Sequence, residues 1–132
     1  MPPDIRQIAL AKARIEQARS CLAAAESLVN ADLCKDSANR SYYCIFHAMR
    51  AVLALDGFDS KRHSGIISAF RQRYVKTDVF SHELSKIIEN AFDVRNNSDY
   101  EDFYVISKSE VKDQLENAKI FLLAVEAYLK TL

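Results

Sequence analysis

Two glycines and two prolines are all the turn chemistry that this 132-residue chain contains. A β-rich protein of that length needs many more, because every hairpin draws on residues that tolerate unusual backbone angles. The shortage argues for long helices, and the abundance of Ala, Leu and Lys agrees. No apolar run approaches the roughly 18 residues of a membrane span, so none is expected. The opening, MPPDIRQIAL, lacks the apolar stretch of a secretory leader. Neither sign of charge is in excess, with 18 Lys and Arg against 18 Asp and Glu. The chain therefore lacks the overall positive field of a general nucleic-acid binder, although local patches stay open. The three cysteines, Cys21, Cys34 and Cys44, are odd in number and form no C-x-x-C pair. They read as small apolar residues in a reducing compartment, and a cytoplasmic protein is expected.

What is present is a hydrophobic content of 49%, which excludes a disordered chain. The length suits one domain, residues 1–132, with a core that needs no staples. Ile8, Ala11, Ile15, Ala18, Leu22, Ala25 and Val29 recur at steps of three and four, predicting a first helix over about residues 4–30. Pro2 and Pro3 can precede or open it, and Asp4 suits its first turn. A second helix, capped by Asp36 or Ser37 and stopped near Gly57, carries Tyr42, Ile45, Phe46, Met49, Val52 and Leu53. Ile66, Ile67, Phe70 and Tyr74 mark a short third helix, and Leu84, Ile87, Ile88, Ala91 and Val94 a fourth. SKSE, residues 107–110, is a capping box in front of a fifth helix whose seam is Val111, Leu115, Ala118, Leu122, Val125 and Leu129. The fold class is all-α: a compact bundle of about five helices, three long and two short.

Charge is segregated along the chain. Between residues 58 and 76, Lys61, Arg62, Arg71, Arg73 and Lys76 face Asp59 alone. Between 78 and 104, Asp78, Glu83, Glu89, Asp93, Asp99, Glu101 and Asp102 outnumber Lys86 and Arg95. The two stretches are either solvated faces that attract each other, or a basic surface for phosphate or an acidic partner.

His47, His63 and His82 lack metal-ligand spacing, and no phosphate loop or nucleophile elbow occurs, so neither a metal nor a cofactor is expected. Two constellations remain. Arg40, Tyr43, His47 and Arg50 share one flank of the second helix, where they could receive a phosphate or carboxylate, or simply border the core. RNNSDY, residues 95–100, holds no good core residue. Arg95 and Tyr100 fall about 140° apart on a regular helix, so their cooperation calls for a break, which Asn96, Asn97 and Ser98 can supply.

ANRSYYCIFHAMRAVLALDG (38–57), KRHSGIISAF (61–70) and AFDVRNNSDYEDF (91–103), in that order, resemble a HEPN domain of the small prokaryotic type. The resemblance implies a helical homodimer that often works with a small nucleotidyltransferase, commonly as a toxin–antitoxin couple. It also implies the R-x4-6-H motif of metal-independent ribonucleases, in which Arg steadies phosphate and His moves protons. Arg95 matches the motif arginine and Asn96 the polar residue after it, but Tyr100 stands where the histidine belongs. A phenol with a pKa near 10 is a poor general base at pH 7. The expected function is therefore binding of nucleotide or RNA phosphate by Arg95 and Asn96. Arg40, Tyr43, His47, Arg50, Lys61, Arg62 and His63 are the supporting candidates. The alternatives are a ribonuclease with a variant R-x4-Y site, in which Arg95 and Tyr100 are the catalytic candidates and His47 or His63 can stand in for the missing group, and a structural helical partner. Some relatives carry AMP on a tyrosine just after the motif; Asp102 holds that place here, between Tyr100 and Tyr104.

Overall fold

The computed structural model describes residues 2–132 and contains five α-helices: α1 (Ile5–Asn30), α2 (Cys34–Ala54), α3 (His63–Phe70), α4 (His82–Tyr100) and α5 (Lys108–Leu129). A π-helical turn, Arg71–Val75, continues α3. Among the described residues there is no strand, and no helix is long and apolar enough to cross a membrane.

Asp4 lies just outside the first turn of α1, where it caps the helix. Its carboxylate accepts from Gln7 N at 2.8 Å while Gln7 Oε1 accepts from Asp4 N at 2.9 Å, a reciprocal box. Of the seam expected on α1, Ala11, Ile15, Ala18, Ala25 and Val29 are buried and Leu22 is half-buried, whereas Ile8 is exposed. The small residues let α1 and α2 lie close together.

α2 begins at Cys34 after Leu33, with no side-chain cap, so neither Asp36 nor Ser37 plays that part. Ser37 Oγ instead donates to Ala25 O at 2.8 Å, tying α2 to α1. Gly57 ends the helix as expected. It takes φ +70°, Phe58 N donates to Leu53 O, and Gly57 N donates to Ala54 O, the paired bonds of a Schellman motif. Around this central helix Tyr42, Ile45, Met49, Phe70, Phe121 and Val125 are almost completely enclosed, and all five helices contribute to the same core. Ser107 and Glu110 form the capping box foreseen at the start of α5.

α4 departs most from the sequence expectation. No break occurs at Asn96–Ser98, and the helix runs unbroken to Tyr100. Val94 and Ser98 are buried on one face, and that packing outweighs the poor helix propensity of the intervening residues. At 19 residues, α4 is close in length to the long helices, leaving α3 as the one short helix.

Candidate functional site

Three helices bring a cation, two phenols and an imidazole together. Arg95, from α4, is half-buried and lies over a group of aromatic rings. Its guanidinium carbon is 5.3 Å from the Tyr42 ring centre, 5.6 Å from Tyr43 and 5.9 Å from Tyr100. One terminal nitrogen donates to Tyr43 Oη at 3.3 Å. Nε stands 3.1 Å from Asp99 Oδ2, one helical turn on, but is not aimed to make a hydrogen bond with it. The arginine side chain spans the angular gap to Tyr100 that a straight helix leaves, so no break is required.

His63 opens α3 and faces the same tyrosines. Its ring stacks on Phe46 at 4.1 Å, and Nδ1 lies 2.8 Å from Tyr42 Oη. Burial, then the positive charges of Arg95 and Arg50, lower its pKa below the usual imidazole value, so the ring is neutral at pH 7. Burial pushes the Tyr42 phenol up to about 12, against the pull of Arg95, and it stays protonated. A neutral imidazole, a protonated phenol and a permanent cation therefore stand side by side. The α2–α3 loop fixes the histidine. Gly65 lies so close to Ser60 Oγ that a Cβ there would collide with it.

Arg40 joins this group, its guanidinium 5.0 Å from the Tyr43 ring centre and held by Asn39 Oδ1 at 2.7 Å. Asn39 in turn donates to Asp99 at 3.3 Å, linking α2 back to the end of α4. Asn96 is half-buried and makes no side-chain hydrogen bond among the described residues. Lys61 and Arg62 are exposed at the α2–α3 loop, and among the described residues no hydrogen bond joins their side chains to the tyrosines. Arg50 is committed elsewhere, to Asp59 at 3.2 Å. Asp59 is shared with the buried Arg14, whose two terminal nitrogens reach Asp59 Oδ2 at 3.2 Å and Arg50 O at 3.0 Å. Among the described residues no ion pair joins the basic and acidic stretches of the sequence.

His47 completes the flank, 6.1 Å from the Tyr43 ring, with Nδ1 buried and without a hydrogen-bond partner. Burial first, then Arg50, Arg40, Arg14 and His63, press its pKa down to about 4. The unfolded chain takes up this proton near pH 6.5 and the folded chain does not, so the stability is complete above pH 6.5 and is lost as pH falls toward 4. His63 acts in the same direction. Denaturant unfolding at pH 7 and pH 4.5 is expected to show a His47 contribution of roughly 1–3 kcal/mol, discounted for partial exposure. His47→Gln should flatten that dependence, and an equal acid loss in the variant would refute the assignment.

The sequence placed Tyr42 with the core and so missed its second role; the YY pair at 42–43, facing both core and flank, was the available signal. Nothing local to Arg14 or Asp59 marks their pairing.

The family model described as "HEPN domain" matches residues 11–128. A UPF0332 protein of Thermotoga maritima is 33% identical over 88% of each chain. A Methanocaldococcus jannaschii protein named as a candidate toxin is 32% identical over 87% of this chain and 78% of its own length. A second protein so named, from the same organism, is 33% identical over 67% of this chain and 66% of its own length.

Proposed function

Because this chain belongs to the HEPN domain family, we propose that it is a toxin-type HEPN module that grips nucleotide or RNA phosphate at Arg95 and acts with a small nucleotidyltransferase. The observation that carries this reading is the position of Arg95. The guanidinium is oriented by three tyrosine rings from two helices, and among the described residues one terminal nitrogen makes no hydrogen bond. A planar, permanently charged fork held in that way suits a phosphate. The relatives named as candidate toxins support the toxin-type assignment. A homodimer would set two such sites together and raise the positive field that each phosphate meets.

The experiment is co-purification of the tagged chain with the nucleotidyltransferase encoded beside it, followed by titration with a short RNA. A stable complex and RNA binding that weakens steeply with salt are expected. Absence of any such neighbour, together with no RNA binding, would refute the proposal.

One observation favours a second reading, the ribonuclease. His63 stands beside Arg95, where it could move the proton that Tyr100 cannot. On that reading the chain cuts RNA in the presence of a chelator, and His63→Ala abolishes cutting. In an NMR titration, His63 should take up its proton below pH 6.5, and Arg95→Ala should move that midpoint upward by removing a like charge. Wild-type cutting by His63→Ala would dismiss the histidine.

A further inference from the structure

A groove of about 550 Å3 lies between the α3–π-turn segment and the first part of α4, outside the tyrosine cluster but adjoining it. Phe92 belongs to both, lining the groove while its ring lies 6.2 Å from Tyr42. Ser64, at the same end, follows His63 directly. The floor is apolar, formed by Ile67, Val75, Ile88 and Phe92. No Asp or Glu is among the lining residues, whereas Arg71 and Lys76 are. Among the described residues neither cation has a carboxylate partner.

Arg71 is oriented in advance. Its Nε donates to Ser85 Oγ at 2.9 Å and one terminal nitrogen to Ser85 O at 3.2 Å, and the other terminal nitrogen makes no hydrogen bond among the described residues. It is also the first residue of the π-helical turn. Such turns are rare and frequently occur where a side chain is re-aimed for function. A fixed guanidinium above a flat apolar floor, in a cleft of small-molecule size, matches a ligand with one anionic and one planar apolar part.

We propose that this groove seats a nucleoside monophosphate unit, either free or as one residue of an RNA strand. Its base lies on the Phe92, Ile67 and Ile88 floor, and its phosphate lies at Arg71 and Lys76. The proposal extends the reading of Arg95 as a phosphate contact and rests on it for the path of a strand. A strand leaving Arg95 passes Phe92 and enters the groove.

The test is an NMR titration of the 15N-labelled full chain with AMP and, separately, with an eight-nucleotide single-stranded RNA. Shifts of the Arg71, Ser85 and Phe92 amides are expected. Ser68→Glu places a carboxylate on an exposed part of the groove wall without touching the core, and Arg71→Gln removes the cation. Each should weaken binding at least tenfold. Should Arg71→Gln fail to fold, Ser68→Glu carries the test. Shifts with AMP would identify free nucleotide as a ligand, and shifts with RNA alone would identify a strand residue; either supports the site. No groove shifts with either probe, or unchanged affinity in Ser68→Glu, would overturn it. Loss of RNA binding in Arg95→Ala with Arg71→Gln and Ser68→Glu unaffected would overturn the groove while leaving the Arg95 reading intact. AMP shifts in the groove that persist in Arg95→Ala, with RNA affinity unchanged, would do the reverse.

Discussion

Arg95→Ala is expected to weaken binding of a short RNA by roughly 10- to 100-fold, the loss of one or two charge-assisted hydrogen bonds to phosphate. The fold should survive. Arg95 contributes to the free chain one long bond to Tyr43 Oη, a surface ion pair with Asp99 and its positions over three rings, and the phenol is only half-buried. Removing it leaves no buried charge without a partner, because Asp99 is at the surface and still accepts from Asn39. The stability loss should be about 1 kcal/mol, in line with cation–π contacts of this exposure. Arg95→Lys keeps the charge but not the planar fork, and should recover part of the affinity. Tyr100→Phe keeps the ring and should change affinity less than about twofold, since the ring face is what meets the guanidinium. Filter binding at two salt concentrations, with circular dichroism as the control for folding, decides the matter. RNA affinity of Arg95→Ala equal to wild type would remove the basis of the proposed function.

The second large effect is on stability. Arg14→Ala should lower unfolding free energy by about 2–3 kcal/mol, toward the lower end for a broken buried ion pair because Asp59 is itself half in water. Only 6% of Arg14 is exposed, so its guanidinium is desolvated whether or not it is paired. Burial and the neighbouring Arg50 lower its pKa, and Asp59 opposes them. The two bonds it makes join the middle of α1 to the end of α2 and to the α2–α3 loop. For a chain of this size the midpoint of thermal unfolding should fall by roughly 6–12 °C. The loop held by Asp59 leads directly to His63, so the variant should also broaden the His63 resonances. A stability change under about 0.5 kcal/mol would show that Arg50 alone satisfies Asp59.

The contrast between Arg14 and Ala18 shows what the sequence could reveal. Ala18, Ala25 and Val29 repeat at helical spacing, and periodicity depends only on near neighbours, so their burial was legible. Arg14 lies on the same buried face, but its partner is 45 residues away, and no local pattern records such a pairing. The continuity of α4 was hidden for a related reason. Propensity measures Asn96, Asn97 and Ser98 in isolation, whereas the packing of Val94 and Ser98 decides the outcome. At the candidate site, Arg95, Tyr43, Arg40 and His63 were each named from the sequence as candidates, and the structure places them on adjoining parts of α2, α3 and α4. That His63 is the histidine beside Arg95, while Arg50 is turned to Asp59, depends on where α3 docks.

The unbroken end of α4 has a consequence for motion. Its last turn is made of weak helix formers, carries no basic residue, and has Asp99 at its carboxyl end with Glu101 and Asp102 just beyond. Negative charge there opposes the helix dipole. The turn that carries Tyr100, and that borders Arg95, should therefore open to hydrogen exchange at a much lower free energy than the α2 core. An anion held at Arg95 would add to that charge and draw the guanidinium away from Asp99, opening the turn further. Faster amide exchange at residues 97–101 would then report occupancy of the site, with no need to see the ligand itself.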